Sequence, residues 1–174
     1  MVPMIHLSMA ELMEYTDWER SEWLKFLRQH GPQTLALTAG PHGDGRFQSV
    51  GELIKHVFGA EMRYVDRLHA RPLTDSATIP DADLDALFAF GQASRRELRQ
   101  LLDTFPAAEW DTPRQFQIMT FRISATPRKI AAHVLLHEIR HWAQIATLLR
   151  LNGFVPEFHD FLVSPVLGGE LQPE

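Results

Sequence analysis

Histidines and carboxylates supply this chain's reactive groups, because none of its 174 residues is cysteine. That absence removes thiolate nucleophiles, Cys-rich zinc sites, iron–sulfur ligation and any disulfide framework. The histidines are unevenly placed. Three recur at four-residue spacing in His133-Val-Leu-Leu-His137-Glu-Ile-Arg-His141. Residues four apart on a helix differ by about 40° around its axis, so these rings share a face. Ile130, Val134, Ile145 and Leu148 fall on the same stripe, which turns the imidazoles toward a core. A buried imidazole without a partner is costly, and one divalent cation satisfies two of them at once. The plainer alternative is a set of hydrogen-bonded core histidines. His133, at the end of the row, reads as a ligand, as an outer partner of the ligands, or as a buried ring only.

An open, reactive metal site takes a third protein ligand. His56, in Glu52-Leu-Ile-Lys-His56, is the best candidate, because Leu53, Val57 and Ala60 mark the core side of its segment. His6, His30, His42 and His69 stand near termini or loops and read as solvated, and His159 lies in the tail. Two carboxylates accompany the histidines as candidate catalytic proton carriers. Glu52 precedes His56 by one turn on nearly the same face. Glu138 lies about 100° around the helix from His137, so it reads as a proton carrier or as a surface carboxylate. The segment His137-Glu138-Ile-Arg-His141 also matches the His-Glu-x-x-His signature of zinc peptidases. The longer metzincin form fails at Gln144 and Thr147, and a third carboxylate ligand would have to be Glu157 or Glu170 in a tail rich in Pro and Gly. A peptidase is therefore disfavoured.

Four helical segments must position these groups. Ser8-Met-Ala-Glu11 is a capping box that opens a helix over about 8–30, ended by Gly31-Pro32. Ser49-Val-Gly-Glu52 opens a second over about 49–70, ahead of Pro72. A third, about 82–105, takes Asp81 or Asp83 as cap and stops before Pro106. The fourth, about 126–152, has Thr126 as cap, Pro127 at its first position and Asn152-Gly153 as its stop. Gln115–Ile123 is an ambiguous stretch, a short strand in composition but without clean alternation. With a tail over 153–174, the expectation is an all-α four-helix bundle with long crossover connections, one domain over 1–174.

Composition narrows the function. A net charge of −5 argues against a protein built to grip nucleic acid. The chain lacks an apolar run long enough for a membrane span, and its first residues lack the pattern of a signal peptide. A cytoplasmic protein acting on a small molecule is expected.

The chain resembles the DinB family, the DinB/YfiT-like metal-binding four-helix bundles, over nearly its whole length. The resemblance is carried by Tyr15-Thr-Asp-Trp18-Glu-Arg20, by His56-Val-Phe-Gly-Ala-Glu61 and by His137-Glu-Ile-Arg-His141-Trp-Ala-Gln144-Ile145. Trp142-Ala143 stand where members commonly carry Arg-Gly. The resemblance implies a metal triad of His56, His137 and His141, and a crossover between helices two and three. Relatives include S-transferases and isomerases that use low-molecular-weight thiols. The implied function is a metal-dependent hydrolase or a small-thiol S-transferase, with zinc or nickel activating water or a thiol cosubstrate. The alternative is a non-catalytic stress-response module that binds metal or ligand.

One expectation concerns assembly. Leu135, Trp142 and Leu149 recur every seven residues on another face of helix four, flanked by Ala131, Ile139 and Ala146. Something must cover this apolar seam, either the 106–124 connection, the tail or a second copy. A homodimer is expected, because two-fold pairs are the commonest homo-oligomers.

Overall fold

The computed structural model describes residues 6–38, 47–157 and 160–168. Four helices carry it: α1 (Met9–His30), α2 (Val50–Leu68), α3 (Leu84–Thr104) and α4 (Pro127–Leu151). Their ends fall within two residues of the expected bounds because local caps set them. Ser8 accepts a hydrogen bond from the Glu11 N–H, and the Glu11 carboxylate answers the Ser8 N–H. Ser49 caps α2 by accepting from the Glu52 N–H, but the Glu52 carboxylate reaches one residue farther back, to the Gln48 N–H. Asp83, rather than Asp81, caps α3, and Thr126 caps α4.

The ambiguous stretch is a hairpin. β1 (Arg114–Ile118) pairs antiparallel with β2 (Phe121–Ala125), Phe116 facing Ile123. The chain is therefore mostly helical with a small two-stranded sheet, not all-α. Two features hid it from sequence reading. Met119 takes the left-handed region at φ 51° without the Gly or Asn that usually signals such a turn. The turn also shifts the phase of alternation, so Phe116, Ile118, Phe121 and Ile123 share one face although their spacing is uneven.

Contacts between helices fix their directions. Arg20 meets Glu138 and Trp23 stacks on Trp142, so α1 and α4 run the same way. Glu61 meets Ser94 while Arg71 meets Glu97, so α2 and α3 run together in the opposite sense. Parallel neighbours require a crossover, and the segment 69–83 supplies it. It walks back along α2 through Thr74 on Asp66, Ser76 on Arg63 and Asp81 on Lys55. Gly51 permits the last step, since a Cβ there would lie 1.9 Å from the Asp81 carbonyl oxygen.

Two apolar clusters form the core. One gathers Trp23, Leu27, Phe58, Phe88, Trp142 and Ile145, and the other gathers Met13, Val65, Leu98, Ile130 and Leu135. The seam on α4 belongs to them. Leu135, Trp142 and Leu149 are wholly buried within the chain, with Ala131 and Ala146 nearly so. Trp23 stacks on Trp142 at 5.4 Å, and Phe58 and Phe88 close around it. Neighbouring helices bury the seam within the chain, with Phe116 of the connection and Phe154 of the tail packed against the same clusters. The seam is thus already covered within one chain and needs no second copy to bury it. No helix among the described residues is long and apolar enough to cross a membrane.

Candidate metal centre

Opposed α2 and α4 bring three imidazoles to one point. His56 Nε2 lies 3.2 Å from His137 Nε2, which lies 3.0 Å from His141 Nε2. One ligand nitrogen from each ring falls within 4.8 Å of the others. Tetrahedral zinc, with Zn–N near 2.0–2.1 Å, holds its nitrogens roughly 3.3 Å apart. The spacing suits a shared cation. His141 donates its Nδ1–H to Gln144 Oε1 at 2.6 Å, which leaves its Nε2 lone pair facing the cluster. Burial, followed by the neighbouring His141 and His56, pushes the His137 pKa down to about 3. That ring is neutral at physiological pH, the state a metal requires. A single N–H on His137 Nε2 could serve only one of its two close contacts, whereas a cation serves all three rings.

His141 is buried, while His56 and His137 are partly exposed. Phe47 packs on the His56 ring with centroids 4.3 Å apart. Beside His56 opens a cavity of about 380 Å³, lined also by Phe47, Glu52, Lys55, Arg63 and Ser76. His56 is the member of the cluster that borders this cavity. His133 lies outside the converging set; it is exposed, edge-on to Tyr64 at 5.3 Å. His30 binds the Phe26 carbonyl, His69 follows α2 and His6 is exposed, while His42 and His159 lie outside the described residues.

The two candidate proton carriers part company. Glu52 lines the cavity, with Oε2 accepting from the Gln48 N–H at 2.6 Å. Glu138 is not a surface carboxylate, being 1% exposed. The 100° offset from His137 carries it into the centre of the helices, beside Trp142, because α4 is buried over a wide arc. Both its oxygens are engaged. Oε1 accepts from Arg20 Nε at 2.5 Å and Trp142 Nε1 at 3.1 Å; Oε2 accepts from Arg20 Nη2 at 2.8 Å and Arg95 Nη2 at 2.6 Å.

Glu138 is one corner of a buried ion network that sequence reasoning missed. Glu61 Oε2 lies 3.0 Å from Arg20 and 3.1 Å from Arg95, and its Oε1 accepts from Ser94 Oγ at 2.7 Å. Its buried centre sets two arginines against two glutamates, one from each helix, and at its edge Asp17 also pairs with Arg95 at 3.1 Å. Burial alone would raise the Glu138 pKa, but Arg20 and Arg95 hold it below the usual carboxylate range. A signal was present: Arg20, Glu61, Arg95 and Glu138 each interrupt the apolar stripe of their helix. Nearby Glu19 is buried without a cationic partner of this kind. Burial, then repulsion from Glu138, pushes its pKa up to about 8, against the lowering effect of a Trp23 hydrogen bond.

No curated protein matches the chain. The family model described as DinB family matches residues 4–167, a span that contains all three converging histidines, and the chain belongs to the DinB family.

Proposed function

We propose that the protein is a metal-dependent enzyme of small-molecule chemistry, a hydrolase or a small-thiol S-transferase, built on a four-helix bundle of the DinB/YfiT type. The convergence of His56, His137 and His141 Nε2 carries this reading. These three residues would hold one zinc or nickel ion, imidazole suiting both. Such an ion, when bound, lowers the pKa of water or a thiol and polarises an electrophile. The chain's own residues do the rest. Gln144 orients His141, burial keeps His137 neutral, and Phe47 shields one side of His56. Glu52, on the cavity wall, would take up a proton from a nucleophile there. With no cysteine in the chain, a thiol reaction needs a cosubstrate thiol.

Elemental analysis of protein made without a histidine tag should find one divalent ion per chain, with His137→Ala losing it. Full metal content in His137→Ala would overturn the assignment. Loaded protein is then assayed with p-nitrophenyl acetate, and with glutathione plus a chlorodinitrobenzene electrophile. Turnover abolished by chelation supports the enzyme; stoichiometric metal with no turnover supports the non-catalytic binding module.

A further inference from the structure

Arg63 holds a partly buried positive charge that, among the described residues, no carboxylate meets in an ion pair, Asp66 acting on it only at longer range. It follows His56 by seven residues, two turns along the same face of α2. Helical side chains lean toward the N-terminus, so its guanidinium folds back toward His56. Nη1 lies 3.3 Å from Ser76 Oγ and 2.9 Å from where a Cβ on residue 59 would stand. Gly59 is the residue that leaves this room.

The guanidinium borders the cavity that also contains His56. Among the described residues the Ser76 hydroxyl is its only side-chain acceptor. The nearby acids each accept from another group, and two of them, Glu52 and Asp75, also line the cavity. Asp66 binds Arg71 and the Thr74 N–H, Asp75 binds the Ala77 N–H, and Glu52 binds the Gln48 N–H. Asp81 faces Lys55, and Glu61 sits in the buried network. Arg67, one turn on, lies over the Tyr64 and Phe116 rings and adds positive charge. Burial and then Arg67 pull the Arg63 pKa below its usual value, against the raising effect of Tyr64 and Asp66. A guanidinium offers five donors in a planar fork matched to carboxylate and phosphate. Left with one hydroxyl in a partly desolvated site, it is poised to receive an anionic ligand.

We propose that Arg63 binds a carboxylate or phosphate group of the substrate, setting its reactive portion toward the histidine cluster. The substrate class is thus a small anion-bearing molecule. This rests on the metal-centre reading for where the chemistry occurs, but the anion contact itself needs no metal.

The test titrates inorganic phosphate and succinate, at constant ionic strength, into chelator-treated and zinc-loaded protein, followed by calorimetry. Wild type should bind at least one anion in the chelated state, which excludes direct coordination to zinc. Tighter phosphate binding assigns a phosphorylated substrate, and tighter succinate binding assigns a carboxylate. Arg63→Gln should lose roughly tenfold or more in affinity, the scale of a charge-assisted hydrogen bond, while zinc content stays at the wild-type level. Arg63→Lys should recover part of the loss, and Gly59→Ala should weaken binding by displacing the guanidinium. Unchanged affinity in Arg63→Gln, or no anion binding by wild type, overturns the proposal. Arg63-dependent binding by a protein that takes up no zinc would sink the metal-centre reading and leave the anion site standing.

Discussion

His137 stands between two other imidazoles, and its position dictates how the metal-free protein responds to acid. Its pKa falls from the usual 6.5 to about 3 on folding, so the unfolded chain takes up a proton that the native chain refuses. Stability should therefore decline as pH drops from about 6.5 toward 3, and be fully present above that window. Glu19 has the opposite sign. With its pKa raised from 4.5 to about 8, the native chain keeps a proton that the unfolded chain has lost. That contribution is present in acid and disappears as pH climbs from about 4.5 through 8. Between 6.5 and 8 only the Glu19 effect operates of the two. Urea midpoints of chelated protein measured across pH should show both slopes. His137→Ala should flatten the acidic limb and Glu19→Gln the alkaline one; an unchanged limb in either variant refutes that residue's assignment.

At the scale of elements, α4 works on two faces at once. One edge presents His137 and His141 to α2, while the arc from Leu135 through Glu138 and Trp142 to Leu149 lies in the core. Its apolar residues cover too much of the circumference for one neighbour, and α1 and α2, with Phe88 of α3, supply the cover. Trp142→Glu should accordingly unfold or aggregate the protein, since it puts an unpaired charge between Trp23, Phe58 and Phe88. The cost is about 3–5 kcal/mol from the lost aromatic packing alone. A soluble, fully helical Trp142→Glu monomer by circular dichroism and sedimentation would contradict the buried placement.

Across the whole molecule, the ion network is what the four helices share. It separates the two apolar clusters, with Arg20 and Arg95 on α1 and α3 closing on Glu61 and Glu138 on α2 and α4. Buried pairs of this kind add little over a well-packed apolar core, yet removing one member strands the others. Glu138→Ala should cost about 3–5 kcal/mol in denaturant unfolding while leaving metal stoichiometry intact. Loss of metal in a folded Glu138→Ala protein would instead tie this carboxylate to the histidine cluster.

Much of the architecture was legible one residue at a time. Ser8, Ser49 and Thr126 mark helix starts because an N-cap is a contact among sequence neighbours. His137 and His141 share a face because helical geometry alone puts them there, and His56 was identifiable from the apolar residues around it. Other features depended on partners distant in the chain. Glu138 has a definite angle on its helix, but that angle meant solvent or core only once α1 and α3 brought Arg20 and Arg95 to it. The fate of the Trp142 seam turned likewise on which helices pack beside it. The charge of Arg63 acquired meaning only when the crossover set Ser76 beside it and left its nearby acids bound elsewhere. Sequence determined what each helix offers, because caps and periodicity are local; tertiary structure decided what each offered group meets, because burial and ion pairing join residues far apart in the chain.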